Sequence, residues 1–257
     1  MSILLQEIKE DILFLTINRP AALNALNRDV FQALDEVFSA DLTSYVGIIL
    51  TGSGEKAFAA GADIKEFLAL DEQSGKELSL QGKAVMKKIE RSDVPVIAVI
   101  NGYALGGGCE LALACHLIIA ESHAKFGFPE VNLGLLPGYS GTQRMIQRVG
   151  RSRALEFMMT AGMISADQAE SWGLASYKVD AGQGVVKATE LLKKIGSKGP
   201  NAVAMVIQSV QNYFDYGAKG DEMESELFGR AMVSEEAKEG IQAFLDKRKA
   251  AFKRGKL

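Results

Sequence analysis

A strand, a glycine run and a helix near the middle of the chain constrain the fold more than any other feature. Residues 94–100 (Val-Pro-Val-Ile-Ala-Val-Ile) form an apolar run that predicts a buried strand. Three glycines, Gly106 to Gly108, follow, and residues 109–115 (Cys-Glu-Leu-Ala-Leu-Ala-Cys) are mostly good helix formers. Glycines lack a Cβ, so the backbone can approach a ligand closely, and the helix start presents free N–H groups with partial positive charge. The sequence therefore predicts an anion-stabilising loop before a central helix.

Two carboxylates flank this loop in the sequence. Glu110 falls in the first turn of the predicted helix, and Glu130 follows 20 residues later beside Pro129. Taken singly, Glu110 reads as a partner of the helix dipole and Glu130 as a solvated loop residue. Taken together with two loops rich in glycine and alanine, the two acids favour a catalytic pair.

The order of predicted elements divides the chain of 257 residues into two parts. Strands alternate with helices up to about Thr142, and only helices are predicted after it, the last over residues 235–252. This pattern predicts an α/β core over residues 1–195 and a helical C-terminal region over residues 196–257. The predicted strands are residues 3–9, 11–17, 45–51, 94–100, 116–120 and 124–128.

Composition excludes several classes of function. The chain is 47% hydrophobic and 24% charged, as is ordinary for a globular protein. A net charge of -3 and an isoelectric point near 5.6 give no attraction to nucleic acid or anionic membranes. No run approaches the ~18 apolar residues of a membrane span, and residues 1–10 do not resemble a signal peptide. Cys109 and Cys115 lie on different faces of one predicted helix, so we expect no disulfide between them and a reducing, cytoplasmic location.

Several familiar motifs are absent. The glycine run lacks the third glycine of the dinucleotide pattern because Leu111 stands there, and no Walker sequence is present. Residues 138–141 lack the GxSxG spacing of a nucleophile elbow. His116 and His123 have no spacing typical of zinc ligands, and Cys109 has no evident histidine partner. We therefore expect neither a metal site nor a cysteine nucleophile.

Four motifs resemble those of the enoyl-CoA hydratase (crotonase) family. They are residues 56–65 (Lys-Ala-Phe-Ala-Ala-Gly-Ala-Asp-Ile-Lys), residues 101–110 (Asn-Gly-Tyr-Ala-Leu-Gly-Gly-Gly-Cys-Glu), residues 128–130 (Phe-Pro-Glu) and residues 141–143 (Gly-Thr-Gln). The resemblance runs over nearly the whole chain. It implies a crotonase-like spiral of β-β-α units with a helical C-terminal trimerisation region. It also implies a homotrimer, or a homohexamer built from two trimers.

The resemblance assigns roles to positions in this sequence. The backbone N–H groups of Ala62 and Gly107 would form an oxyanion hole around a thioester carbonyl. The carboxylates of Glu110 and Glu130 would hold one water between them. The residues implied in substrate binding are Ala60, Gly61, Ala62, Asp63, Ile64, Lys65, Gly107 and Tyr139.

The retained acid pair selects a reaction within the family. Isomerases of the family generally keep an acid near the Glu130 position and lose the one at Glu110, because moving a double bond needs no water. The resemblance therefore implies reversible syn hydration of 2-trans-enoyl-CoA to (3S)-3-hydroxyacyl-CoA, including short-chain 3-hydroxybutyryl-CoA dehydration. CoA enters as part of the substrate, and no other cofactor is implied. The alternatives are enoyl-CoA isomerisation, acyl-CoA thioester hydrolysis, and a non-catalytic RNA-binding or protein-binding role.

One departure from the family pattern concerns the acyl pocket. Tyr139 and Ser140 stand where many family hydratases have small residues. A bulky Tyr139 near the acyl end is expected to shorten or reshape the pocket, so the preferred chain length does not follow from the resemblance.

Overall fold

A computed structural model describes residues 2–253, apart from the side chains of Lys65, Glu66, Ala218 and Asp221. The strands are β1 (Leu4–Lys9), β2 (Ile12–Ile17), β3 (Gly47–Gly52), β4 (Ala57–Ala60), β5 (Val96–Ile100), β6 (Tyr103–Leu105), β7 (Leu117–Glu121), β8 (Lys125–Gly127), β9 (Met163–Ser165) and β10 (Tyr177–Val179). The helices are α1 (Arg28–Phe38), α2 (Glu72–Glu90), α3 (Gly107–Ala114), α4 (Gly141–Val149), α5 (Arg151–Met159), α6 (Ala166–Trp172), α7 (Gly184–Gly196), α8 (Pro200–Tyr216), α9 (Gly220–Met232) and α10 (Glu235–Leu245). Short 3-10 helices include Ile64–Phe67 and Glu130–Leu133.

The strands form two sheets, and from β3 to β8 successive strands belong alternately to one sheet and the other. The larger sheet has the order β1-β2-β3-β5-β7-β10, and the smaller has the order β4-β6-β8-β9. Strands β3, β5 and β7 belong to the larger sheet, and each is followed directly by a strand of the smaller sheet. Each of these strand pairs then leads into a helix, α2, α3 or α4. This succession is the spiral of β-β-α units that the sequence predicted.

The central strands β3 and β5 of the larger sheet are buried on both faces. Along β3, Ile48 packs into the main core and Ile49 into a second core that contains Leu192 of α7. All of these side chains are inaccessible to solvent. Because successive side chains of a strand point to opposite faces, burial of both faces requires continuous apolar runs. This explains why residues 94–100 lack polar alternation.

A capping box stabilises the start of α6. Ser165 Oγ accepts the backbone N–H of Gln168 at 3.3 Å, and Gln168 Oε1 accepts the N–H of Ser165 at 3.0 Å. An equivalent pair, Asp71 and Ser74, caps α2. Caps of this kind satisfy N–H groups that have no acceptor within the helix.

The prediction that only helices follow Thr142 is wrong. Strand β9 pairs antiparallel with β8, and β10 pairs parallel with β7. Both strands have three residues, which is too short for alternation to be visible in the sequence. The prediction also missed β4 and β6, which are short and lie beside glycines, and it missed α4. Helix α3 begins at Gly107, so two of the three glycines belong to the helix.

The last helix is shorter than predicted. It ends at Leu245 instead of continuing to residue 252 because Lys247 has a left-handed backbone (φ 53°). Arg248 then pairs with Glu239 at 2.7 Å, and the N–H of Ala251 donates to the same carboxylate. The chain therefore folds back over α10. Helix α7 packs on the larger sheet, whereas α8 and α9 pack against each other. The division into 1–195 and 196–257 stays a prediction, as does trimerisation.

Candidate active site

The start of α3 depends on a glycine with an unusual backbone. Gly106 has φ 48° and ψ -122°, a backbone conformation that residues with a side chain rarely adopt. A Cβ at this position would lie 2.8 Å from Glu130 Oε1. Its N–H donates to the carbonyl of Gly127 at 2.8 Å, which ties the glycine run to β8. The glycine thus permits both the turn into the helix and the close approach of the Glu130 carboxylate.

The backbone nitrogen of Ala62, in the loop after β4, lies close to Gly107 at the start of α3. The nitrogen of Ala62 is 3.6 Å from the point where a Cβ on Gly107 would stand. Ala62 follows β4, where the carbonyl of Gly61 accepts the N–H of Leu26, and Asp63 donates to Leu26. In such an extended segment the intervening N–H, that of Ala62, points to the other side. The N–H of Gly107 lies in the first turn of α3, where no intrahelical acceptor exists.

Glu110 is almost fully buried and held by backbone donors. Its Oε1 accepts the N–H of Tyr139 at 2.7 Å and the N–H of Gly141 at 2.6 Å. Burial raises the pKa of Glu110 to about 7, although both N–H groups favour the ionised form, and the charge of Glu130 adds to the increase. A carboxyl group with this pKa can both accept and release a proton near neutral pH.

Glu130 opens a 3-10 helix and is half-buried. Its Oε2 is buried and receives no hydrogen bond from any residue of the described part of the chain. Burial raises the pKa of Glu130, and a hydrogen bond from its own backbone N–H partly offsets the increase. A buried carboxylate oxygen without a protein donor is costly, so this atom is suited to bind a substrate group or water.

A cavity of about 420 Å³ is lined by Glu110, Glu130 and the two loops that contain Ala62 and Gly107. Of the residues implied by the resemblance, those that line it are Ala60, Gly61, Ala62, Ile64, Gly107, Glu110, Glu130 and Tyr139. Asp63 is not among the lining residues, because its carboxylate pairs with Arg19 at 3.2 Å. The side chain of Lys65 lies outside the described residues. The roles of all these residues stay predictions.

The cavity has a wall that the sequence reasoning missed. Leu78 and Ser79 come from α2, and an exposed apolar rim is formed by Leu133, Leu135 and Leu136. The rim residues stand between the two motifs of residues 128–130 and 141–143, and this cluster of leucines between two site motifs is the signal that the sequence offered. The further lining residues are Phe67, Leu70, Asp71, Gly75, Gly106, Pro129 and Gly138.

His116, Cys109 and Cys115, which match no metal or nucleophile motif, lie in environments typical of structural residues. His116 Nδ1 accepts the N–H of Val96 at 2.9 Å, and Nε2–H can donate to the carbonyl of Glu90 at 3.0 Å. Burial lowers the pKa of His116 and favours this neutral form. Cys109 and Cys115 are buried free thiols, as expected, and burial raises the pKa of both. Among the side chains that the structure describes, no cluster of three or more His, Cys, Asp or Glu is suited to a metal ion.

The fold and the cavity define a class of protein. It is an α/β spiral in which the backbones of two loops, the buried Glu110 and the half-buried Glu130 line one largely apolar cavity. Such a site stabilises developing negative charge on one atom while moving protons on neighbouring atoms. No helix in the described part of the chain is long and apolar enough to cross a membrane.

Comparisons with known proteins agree with this class. The family described as Enoyl-CoA hydratase/isomerase matches residues 7–255. The short-chain-enoyl-CoA hydratase of Clostridium acetobutylicum is 41% identical over 91% of each chain. The crotonyl-CoA hydratase of Syntrophomonas wolfei is 40% identical over 96% of each chain. The crystal structure of enoyl-CoA hydratase from Bacillus anthracis has a TM-score of 0.92 and 34% identity, and covers 98% of this chain and 99% of that one.

The chain belongs to the enoyl-CoA hydratase/isomerase family. The family resemblance and the crotonase-like fold predicted from the sequence are both confirmed.

Proposed function

We propose that this protein is an enoyl-CoA hydratase that reversibly adds water to 2-trans-enoyl-CoA in syn fashion and forms (3S)-3-hydroxyacyl-CoA. The observation that carries the proposal is the meeting of Glu110 and Glu130 in one cavity beside the N–H groups of Ala62 and Gly107. Relatives at 40–41% identity that are named short-chain-enoyl-CoA hydratase and crotonyl-CoA hydratase support it.

The N–H groups of Ala62 and Gly107 bind the thioester oxygen. Water addition at C3 shifts electron density onto this oxygen and forms an enolate-like transition state. Fixed N–H dipoles stabilise that charge without reorganisation, and loss of one such donor typically costs about 3 kcal/mol. The neighbouring residues Ala60 and Gly61, with Ile64, line the thioester side of the cavity. Asp63 supports this loop through Arg19.

The two carboxyl groups divide the proton transfers. Oε1 of Glu110 is occupied by two backbone N–H groups, which leaves Oε2 to accept a proton from the attacking water. Glu130, whose pKa is raised by burial, delivers a proton to C2. Acid–base assistance of this kind contributes about 100- to 10,000-fold to the rate. The reverse reaction, dehydration of a 3-hydroxyacyl-CoA, uses the same groups with their roles exchanged.

No separate cofactor takes part in this mechanism, because the thioester supplies the electron sink. CoA is therefore a portion of the substrate. The first alternative, enoyl-CoA isomerisation, needs only one acid, so Glu110 would have no role in the reaction. Thioester hydrolysis needs water at C1 instead of C3. A binding role for RNA is disfavoured by the net charge of -3.

The C-terminal helices are proposed to join subunits into a homotrimer, or into a homohexamer of two trimers. Large apolar side chains on α9, α10 and the turn between them are exposed, among them Phe228, Val233 and Phe244. Exposed apolar faces of this kind are typical of surfaces that another subunit covers. Light scattering on the purified protein tests the oligomer. The free cysteines agree with the proposed cytoplasmic location.

Hydration of crotonyl-CoA, followed by loss of the conjugated thioester absorbance, tests the function. We expect fast turnover by the unmodified protein and strong loss in Glu110→Gln and Glu130→Gln. Glu190→Gln, on the exposed face of α7, is the matched control and keeps full activity. Absence of hydration on all enoyl-CoAs would refute the proposal. Full activity in either active-site variant would refute the two-acid mechanism.

A further inference from the structure

The ring of Tyr139 fills a space where three helices meet. Its centroid lies 5.0 Å from that of Phe31 in α1, in an edge-to-face arrangement. A Cβ on Gly82 in α2 would lie 2.3 Å from the ring, and one on Gly107 at the start of α3 would lie 3.4 Å from it. A glycine in the interior of a helix is unfavourable, and packing explains Gly82: only a residue without a side chain leaves room for this ring.

Hydrogen bonds on both sides hold Tyr139 in place. Its N–H donates to Glu110 Oε1 at 2.7 Å, and its carbonyl accepts from Arg144 Nη1 at 2.9 Å. The preceding carbonyl, of Gly138, accepts from Ser79 Oγ at 2.6 Å. These bonds fix the backbone from which the ring projects, and the packing against Phe31 and Gly82 holds the ring itself.

The ring lies beyond the reacting carbons. In the proposed function, the thioester oxygen binds at the N–H of Gly107 and C3 lies beside Glu110. The ring of Tyr139 lies 3.4 Å from the Cβ position of Gly107, and the backbone N–H of Tyr139 binds Glu110, so this residue lines the cavity beside both groups. We place the carbons that follow C3 against its ring. The cavity has exposed side chains at Ile64, beside the thioester loop, and at Leu135 and Leu136, whereas Tyr139 is 6% exposed. The large, charged CoA portion stays at the exposed side of the cavity, and the acyl tail points to the buried end at Tyr139.

We infer that Tyr139, seated on Gly82, closes the acyl end of the cavity and restricts the enzyme to short acyl chains such as crotonyl. Tyr139 is thus a specificity-determining residue. The inference rests on the proposed hydratase function and goes beyond it by naming the substrate class. Each carbon beyond the crotonyl chain would have to displace a ring that is packed on three helices, and close-packed interiors resist such changes.

The experiment measures kcat/KM for crotonyl-, hexenoyl-, octenoyl- and decenoyl-CoA. We expect the value for octenoyl-CoA to be roughly tenfold or more below that for crotonyl-CoA in the unmodified protein. Tyr139→Ala opens the cavity and raises the octenoyl-to-crotonyl ratio by roughly tenfold or more. Tyr139→Phe keeps the ring and with it the short-chain ratio. Gly82→Ala pushes the ring into the cavity and lowers the hexenoyl-to-crotonyl ratio. Tyr177→Ala, on strand β10 away from the cavity, leaves the ratio unchanged.

The outcomes separate this inference from the proposed function. Hydration at equal rates from crotonyl- to decenoyl-CoA, or an unchanged ratio in Tyr139→Ala, would overturn the inference and leave the hydratase intact. Absence of hydration at every length would overturn both. If Tyr139→Ala is folded but inactive, the binding affinities of butyryl-CoA and octanoyl-CoA, measured by calorimetry, test the inference instead. Tighter octanoyl-CoA binding than in the unmodified protein supports the inference, and unchanged relative binding refutes it. Tyr139→Leu replaces the alanine variant if circular dichroism shows that the latter is unfolded.

Discussion

The Oε1 atom of Glu110 lies 2.6 Å from the backbone nitrogen of Gly141, and a Cβ on Gly141 would lie 2.8 Å from the same oxygen. That Cβ would also meet the ring of Phe128 at 2.8 Å. Position 141 therefore has room for a hydrogen bond to Glu110 and no room for a side chain. The absence of a side chain at Gly141 and the orientation of the Glu110 carboxylate therefore depend on each other.

Replacement of Gly141 by alanine is expected to lower kcat for crotonyl-CoA hydration by about 100-fold or more, because the added methyl group displaces the Glu110 carboxylate. Gly229→Ala is the matched control, since a Cβ at Gly229 meets no atom within 4 Å. Stopped-flow or steady-state absorbance measures both. A Gly141→Ala variant with the activity of the Gly229→Ala control would show that this contact does not orient the carboxylate.

The pKa of Glu110 predicts a pH dependence of activity. Glu110 must be ionised to accept the proton of water, and burial raises its pKa from 4.5 to about 7. Hydration measured as kcat/KM should therefore fall about tenfold per pH unit below pH 7. The pH profile from pH 5 to 9 tests this. A profile that stays flat down to pH 5 would mean that Glu110 is not the base.

The same pKa predicts the sign of a stability change. Between pH 4.5 and pH 7 the folded protein keeps a proton on Glu110 that the unfolded chain releases. This contribution is fully present below pH 4.5 and is lost as the pH rises through about 7, and it amounts to roughly 3 kcal/mol. Urea unfolding at several pH values should show the loss in the unmodified protein and not in Glu110→Gln. Equal pH slopes in the two proteins would contradict the prediction.

Local patterns were sufficient to predict the centre of the fold. The apolar run of residues 94–100 predicted β5, and the glycines with the residues after them predicted α3. Glu110 lies in the first turn of that helix, as predicted. Each depends on residues that are adjacent in sequence. The short strands β6 and β9 could not be predicted, because three residues carry too little periodicity and partners distant in sequence stabilise them.

The contacts that shape the site are also distant in sequence. Tyr139 packs on Gly82, and Gly106 makes room for Glu130, although neither pair is close along the chain. The sequence showed that Tyr139 departs from the family pattern, but not that a glycine in α2 receives its ring. Such pairings depend on how the helices pack, and no local rule predicts them.

Ser140 has a left-handed backbone (φ 73°) directly before α4. This conformation costs a residue with a side chain about 1–2 kcal/mol, which glycine avoids in part at an entropic cost. Ser140→Gly is therefore expected to raise the free energy of unfolding by about 1 kcal/mol. Ser197→Gly, at a position with φ -83°, is the control and should lower stability slightly.

Urea unfolding measures both serine variants under the same conditions. A loss of stability in Ser140→Gly equal to that in Ser197→Gly would show that residue 140 carries no strain. The result also bears on the site, because the residues on both sides of Ser140 donate to Glu110.

Arg144 and Glu90 form a buried ion pair behind the site. Arg144 Nε and Nη2 contact the two Glu90 carboxylate oxygens at 3.0 and 3.1 Å, and Nη1 donates to the Tyr139 carbonyl. Arg144→Met leaves the Glu90 charge buried without its partner, which is expected to cost about 3 kcal/mol of stability. Lys88→Met removes the half-exposed pair between Lys88 and Asp35 and should cost less than about 1 kcal/mol.

A double-mutant cycle with Glu90→Leu separates the pair from the contact to Tyr139. Arg144→Met with Glu90→Leu should recover part of the stability, because the unpaired charge is gone and the Tyr139 carbonyl alone lacks its donor. The remaining deficit should appear together with a lower kcat, since the loop that orients Glu110 is less restrained. If Arg144→Met costs no more stability than Lys88→Met, the ion pair does not hold this loop, and the orientation of Glu110 must depend on the hydrogen bonds of Tyr139 and Gly141 alone.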